Sequence, residues 1–284
     1  MEIRDAARAV DGHVLAVTRY PAEGRPWGTL LVAPAMGVPQ SFYEPMARHF
    51  ATRGLHVLTF DWRGMGDSST GPMAGCKADL MDWATLDLEA MLGESRAMAP
   101  GLPAFALGHS LGGQLLGATK AAADLQAAVT VTAGTGWYRH NDRMPWRVRF
   151  FWFVAIPLAT PIAGYFPGRR LGMVGDLPAG VAWQWRRWST HPDYLLCEGE
   201  AMRGRFDGVR CAILGYSFSD DDILTRPAVD QLHGFYRHAA VERRHVAPAQ
   251  AGRARIGHFG YFRAESADGL WKETLDWLRS KGPA

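Results

Sequence analysis

Residues 104–119 read AFALGHSLGGQLLGAT. A short apolar run, Ala104 to Leu107, meets Gly108-His109-Ser110-Leu111-Gly112, and a helix-like stretch follows. The reading is strand, sharp turn, helix, with a serine at the tip. Such a turn lifts one hydroxyl clear of the backbone and holds it in a strained geometry. The residues two before and two after the serine must be small, or their side chains collide across the turn, and Gly108 and Gly112 meet that demand. G-x-S-x-G in this setting presents a serine for nucleophilic attack. A Gly-rich turn can match the same letters by chance, so the rest of the chain must supply a base, an acid and an oxyanion site.

Working outward, strand-like and helix-like segments alternate. His13 to Tyr20 alternates apolar and polar residues, as an early antiparallel strand does. Thr29 to Ala33 and Leu55 to Phe60 read as buried parallel strands, with helical spacing from Tyr43 to Arg53 between them. Asp79 to Met98 is a longer helical pattern. Beyond the serine come a strand at Ala127 to Thr132, strands at Val209 to Tyr216 and Val241 to Val246 with a helix at Ala228 to Arg237 between them, and a closing helix at Leu270 to Arg279. This alternation predicts an α/β fold: a mostly parallel sheet with helices on both faces.

Trp137 to about Arg205 breaks the rhythm. It holds six of the eleven tryptophans and the run FFWFVAIPLATPIAGYF at 150–166. Seventeen residues with Pro157 and Pro161 inside fall short of the roughly 20 that a spanning helix needs, so broken helices are expected rather than a transmembrane span. An insertion after the sixth strand fits a helical cap over the sheet's C-terminal edge. The expected division is a core of 1–136 and 206–284 with a cap of 137–205. Between Arg139 and Trp188 eight arginines face two acids, Asp142 and Asp176. That leaves +6 here and −3 in the rest of a chain whose net charge is +3. One reading is a solvated arginine surface whose stems cover apolar groups. The other is a field that draws anionic substrates or makes weak contact with anionic lipid headgroups.

Bulk properties narrow the class. A chain of 284 residues, 48% apolar and 21% charged, is long enough for an ample core. A net charge of +3 argues against a general nucleic-acid binder. Cys76, Cys197 and Cys211 are scattered, odd in number and without metal spacing, which fits a reducing, cytoplasmic compartment. MEIRDAARAVDG has early acids and no apolar core, unlike a secretory signal. No dinucleotide or P-loop fingerprint appears, so neither cofactor nor metal is expected.

Four segments, LLVAPAMGVP (30–39), FDWRGMGDS (60–68), LGHSLGGQ (107–114) and IGHFGYF (256–262), together resemble the α/β-hydrolase superfamily of the serine-hydrolase type, over nearly the whole chain. The resemblance implies an α/β-hydrolase fold with an eight-stranded, mostly parallel sheet and a helical cap. It implies Ser110 as nucleophile and, in a loop after the last strand, His258 as base. His109 adjoins Ser110 but points apart on a tight turn; His245 lies in a strand pattern, and His233 and His238 lie on or beside a helix. The acid belongs in the loop after the seventh strand, where Asp220, Asp221 and Asp222 compete. Asp221 fits the family register best, and Asp142 is the candidate for a second family solution after the sixth strand. The oxyanion hole takes the backbone N–H of Leu111 and, from the turn after the third strand, that of Met36, although Pro34-Ala35-Met36-Gly37 replaces the usual His-Gly there. Asp61 in the turn after the fourth strand is assigned no chemistry.

Relatives that open epoxides or cleave carbon–halogen bonds carry Asp at the elbow, so Ser110 points to acyl transfer. The acid-poor cap argues against an aminopeptidase, which must hold a cationic amine. The expected activity is hydrolysis of a carboxylic ester or thioester with a hydrophobic acyl group, of the esterase, lysophospholipase or thioesterase kind, through an acyl-enzyme. An acyltransferase with the same triad, and a non-catalytic binding homologue, are the alternatives.

Overall fold

The computed structural model describes residues 2–282. Eight strands form one sheet: β1 (Ile3–Arg8), β2 (Val14–Tyr20), β3 (Gly28–Ala33), β4 (Leu55–Phe60), β5 (Ala104–His109), β6 (Ala127–Val131), β7 (Ala212–Phe218) and β8 (Val241–Val246). Their spatial order is β1-β2-β4-β3-β5-β6-β7-β8. β2 runs antiparallel to both β1 and β4, and every other pairing is parallel. This is the α/β-hydrolase arrangement that the four motifs imply.

Strands β3, β5 and β6 are buried along their full length. That follows from their near-continuous apolar letters and from cover on both faces. Helix α1 (Glu44–Ala51) and the C-terminal helix (267–280) pack on one face, where Phe50, Trp271 and Leu278 share a cluster with Val32 and Leu107. Helix α2 (80–97) and the short α3 (Leu111–Leu115) cover the other, where Trp83 and Leu115 meet Leu31 and Phe60. The turn after β4 is structural. Buried Asp61 accepts the backbone N–H groups of Gln40 (2.8 Å) and Asp67 (3.0 Å). A Cβ at Gly66 would lie 2.4 Å from that carboxylate.

Three sequence expectations are corrected. Ile3–Arg8 is a strand that the sequence reading passed over; its letters, IRDAAR, belong to a largely exposed edge strand with little apolar alternation. The seventh strand is Ala212–Phe218 rather than 209–216, because Val209 caps helix α6 (Glu200–Gly208). The prolines do not break the apolar run. Helix α4 passes continuously through 145–163, with a π turn at Phe151–Ala155 just before Pro157, and ends at Gly164 with φ +75°. A proline leaves one carbonyl without its amide partner and crowds it, and a wider turn directly before it is a recognised way to absorb that.

Between β6 and β7 the chain leaves the sheet through α4, a two-residue ribbon (Tyr165–Phe166 with Leu177–Pro178), α5 (Ala179–Ser189) and α6. Trp152, Ile156, Val181 and Trp188 pack into the same buried cluster as Phe60 and Trp83. The excursion therefore has no separate core. Helix α6 rests on the sheet domain: Arg205 donates to the Ala118 carbonyl (2.9 Å), and the Phe206 ring fills the space that a Cβ at Gly117 would need. Among the described residues, no helix is long and apolar enough to cross a membrane. The three cysteines are free.

Candidate active site

Ser110 sits between β5 and α3 with φ +49° and ψ −114°. A non-glycine residue held there stores on the order of 1–3 kcal/mol of strain. Its N–H donates to the Val131 carbonyl (2.9 Å) and its carbonyl accepts from Gln114 (3.1 Å), which fixes the turn from both sides. The glycines are required. A Cβ at Gly108 would lie 2.4 Å from the Gly113 Cα, and one at Gly112 only 2.2 Å from the Ala33 carbonyl oxygen. Gly113 is under the same constraint, 2.6 Å from the Ala133 Cβ. The sequence reading missed it.

His258 lies in the loop after β8, preceded by Gly257 at φ +56°. Its Nδ1 is 2.8 Å from Asp221 Oδ2, and both side chains are buried. Because that carboxylate oxygen accepts, Nδ1 carries the proton, and in the neutral ring Nε2 is left as an acceptor. The other Asp221 oxygen accepts from the N–H groups of Ile223 (2.8 Å) and Leu224 (3.1 Å). Asp220 does something different: its two oxygens accept from Ile256 (2.9 Å) and Gly257 (3.0 Å), tying the histidine loop to the loop after β7. Asp222 is half exposed, 3.9 Å from Arg255. Asp142 is exposed. Of the four candidate acids, Asp221 is the one bonded to His258 among the described residues.

Three other histidines are bonded elsewhere. His245 meets Ser217, and His233 bridges Thr130 and the Val229 carbonyl. His109 is fully buried, which pushes its pKa well below the ordinary value of 6.5. Its Nε2 donates to the His258 carbonyl (3.0 Å), so its Nδ1 accepts from the Tyr43 hydroxyl (2.8 Å). That hydroxyl in turn accepts the Ala35 N–H (2.8 Å). One chain of hydrogen bonds thus runs from the turn after β3, through Tyr43 and His109, to the backbone of His258. Nothing in the letters at 43 or 109 signals it.

Residues 35–38 form a turn closed by the Val38 N–H on the Ala35 carbonyl (3.2 Å), with Gly37 at φ +71° in the position of a type II turn that needs it. The bond leaves the Met36 N–H unpaired among the described residues. Leu111 opens α3, where a first-turn N–H has no helical partner. Met36 and Ser110 line one cavity of about 550 Å³, together with His258. No hydrogen bond joins Ser110 Oγ to His258 among the described residues; such a bond commonly tightens only when substrate arrives. Trp137, Val148, Phe151, Trp152, Val174 and Trp185 give the cavity its apolar walls. Gln114, held by the Tyr194 hydroxyl (2.7 Å), and Arg147 are polar groups in its lining. Among the described residues, no cluster of His, Cys, Asp or Glu has metal-binding geometry.

Residues 24–164 match the family model described as serine aminopeptidase, S33. No curated protein matches the chain. Among solved structures, the chain is similar to a soluble variant of monoglyceride lipase from Saccharomyces cerevisiae in complex with a substrate analog (TM-score 0.69, 14% identity, 99% of this chain and 96% of that one). It is also similar to DcsB in complex with its substrate analogue (TM-score 0.68, 13% identity, 99% and 100%). A thermostable carboxyl esterase from Bacillus coagulans in complex with glycerol gives TM-score 0.63 at 14% identity, with 99% and 98% of the chains covered. At these identities the likeness is one of fold.

Proposed function

We propose, from the premise that the chain belongs to the α/β-hydrolase superfamily, that it is a serine-dependent hydrolase of carboxylic esters or thioesters with a hydrophobic acyl group. The observation that carries this reading is one cavity shared by a serine on a strained turn and a histidine whose far nitrogen is held by a buried carboxylate.

In this reading Ser110 Oγ attacks the acyl carbonyl carbon while His258 Nε2 takes the hydroxyl proton. The tetrahedral oxyanion receives hydrogen bonds from the Met36 and Leu111 N–H groups, each worth about 3–4 kcal/mol at the transition state. The carbonyl reforms, the bond to the leaving alkoxide or thiolate breaks, and His258 returns the proton to that group. Water then repeats the sequence on the acyl-enzyme, with His258 again as base, and releases the acid. Asp221 keeps Nδ1–H facing it and stabilises the imidazolium without itself gaining a proton.

The aromatic and methionine walls suit an acyl chain rather than a charged amine. The 137–205 segment acts as a lid in this scheme, with Trp137, Trp152 and Trp185 in the wall of the cavity that holds the serine. The test is Ser110→Ala: it leaves the protein folded and abolishes p-nitrophenyl ester turnover, and a fluorophosphonate labels the wild type at Ser110 only. Turnover at the wild-type rate in the variant would end the proposal.

A further inference from the structure

Helix α4 turns two unlike faces in different directions. Val148, Phe151 and Trp152 line the cavity. Trp146, Phe150, Val154, Leu158 and Ile162 stand four residues apart and face solvent; Trp146 is 79% exposed, Leu158 61% and Ile162 85%. In an undisturbed α-helix, a four-residue stripe rotates by about 40° at each step and would wind off the surface. The wider π turn at Phe151–Ala155 takes back part of that drift, and all five residues stay exposed.

The rim of this stripe is cationic. Of the eight arginines between 139 and 188, only Arg187 has a carboxylate partner among the described residues, Glu198. The two acids of that stretch are Asp142, which is exposed, and Asp176, which accepts the Arg169 N–H. Arg149 lies over the rings of Trp146 (5.5 Å) and Tyr138 (5.9 Å), and Arg186 over Phe153 (5.8 Å) and Trp183 (5.9 Å). The Arg149 guanidinium therefore lies on a ring of the apolar stripe itself, and that of Arg186 on rings beside it.

We infer that this face of α4 docks on the surface of an anionic phospholipid bilayer, with the apolar side chains in the acyl boundary and the arginines among the headgroups. The charge decides the occupant. A second copy meeting the same patch would bring two sets of arginines that lack carboxylate partners together, which is unfavourable in a two-fold interface. An anionic lipid surface complements both the stripe and its rim, the layout of an interfacial helix. Docked this way, one face of α4 rests on lipid while its other face roofs the cavity. The inference does not depend on the chemistry at Ser110.

The test is flotation of the full-length protein with vesicles of phosphatidylcholine alone, or with about one third phosphatidylglycerol. Binding to the anionic vesicles is expected to exceed binding to the neutral ones by roughly tenfold and to fall when salt rises from about 0.1 M to about 0.5 M. Leu158→Ser/Ile162→Ser lowers it by roughly tenfold with unchanged thermal melting, since both side chains are exposed. Arg149→Gln/Arg186→Gln lowers the preference for anionic vesicles. Failure to float with anionic vesicles, equal binding to both kinds, or wild-type binding by the Leu158/Ile162 variant overturns the inference. A concentration-dependent dimer dispersed by that same variant overturns it in favour of a second copy.

Discussion

Asp221→Asn tests the site more sharply than removal of the serine, because the structure fixes how the new amide must sit. One carboxylate oxygen of Asp221 accepts two backbone N–H groups, from Ile223 and Leu224. An asparagine keeps those bonds only by placing its carbonyl oxygen there. Its NH₂ group then faces His258 Nδ1, 2.8 Å away in the parent site. A donor in that place demands the other tautomer, with the proton on Nε2, and a protonated Nε2 cannot accept the serine proton. The backbone geometry survives while the base is lost. For a wrong-tautomer histidine, the expected fall in kcat is about 10³- to 10⁴-fold, or about 4–5.5 kcal/mol of transition-state stabilisation. The assay is turnover of a short p-nitrophenyl ester by protein whose fold is checked by thermal melting. Asp222→Asn is the control and stays within about twofold of wild type, because its carboxylate touches neither histidine nor loop backbone. If Asp221→Asn kept kcat within about tenfold of wild type, the tautomer argument would fail.

Further outcomes follow from other parts of the structure. Gly112→Ala places a methyl 2.2 Å from the carbonyl oxygen of a central strand, so urea denaturation should show a loss of at least about 2 kcal/mol; wild-type stability would show that the turn is not packed as described. Burial lowers the pKa of both His109 and His233, so the folded state binds fewer protons than the unfolded chain. Stability is therefore complete above pH 6.5, the ordinary histidine value, and is lost as pH falls below it, with a limiting slope of about 1.4 kcal/mol per pH unit for each ring. Denaturation curves that coincide at pH 7.5 and 5.5 would contradict this. Arg147 lines the cavity with no carboxylate partner among the described residues, so an ester bearing a carboxylate should exceed its trimethylammonium counterpart in kcat/KM, and Arg147→Gln should narrow the ratio.

The elbow was legible from its letters because sterics dictate them: small residues at 108 and 112 are demanded by contacts that any such turn makes. The histidine was legible by position, on a Gly-flanked loop near the end of the chain. Among the three adjacent aspartates the family register favoured Asp221, but nothing in the letters gave the physical reason. What distinguishes them is which way each side chain leaves the turn, and that depends on backbone partners 36 and 37 residues away for Asp220 and on a ring 37 away for Asp221. The prolines misled for a similar reason, since their effect on a helix depends on the turn before them. Edge strand β1 gave no apolar signal because it buries little. Tyr43 and His109 are ordinary letters whose connection exists only once three separate loops meet.

That connection restricts a position the motif formally leaves open. The side chain at 109 must accept from a phenol on one edge and donate to a carbonyl on the other. A replacement that manages only one of these strands a polar group in the interior, at a penalty of about 1–3 kcal/mol. The damage would not stay local, because the same strut braces the proposed anion-binding turn against the proposed base. Drift in either would be felt by the other, so the two halves of the proposed reaction centre keep their spacing as a unit.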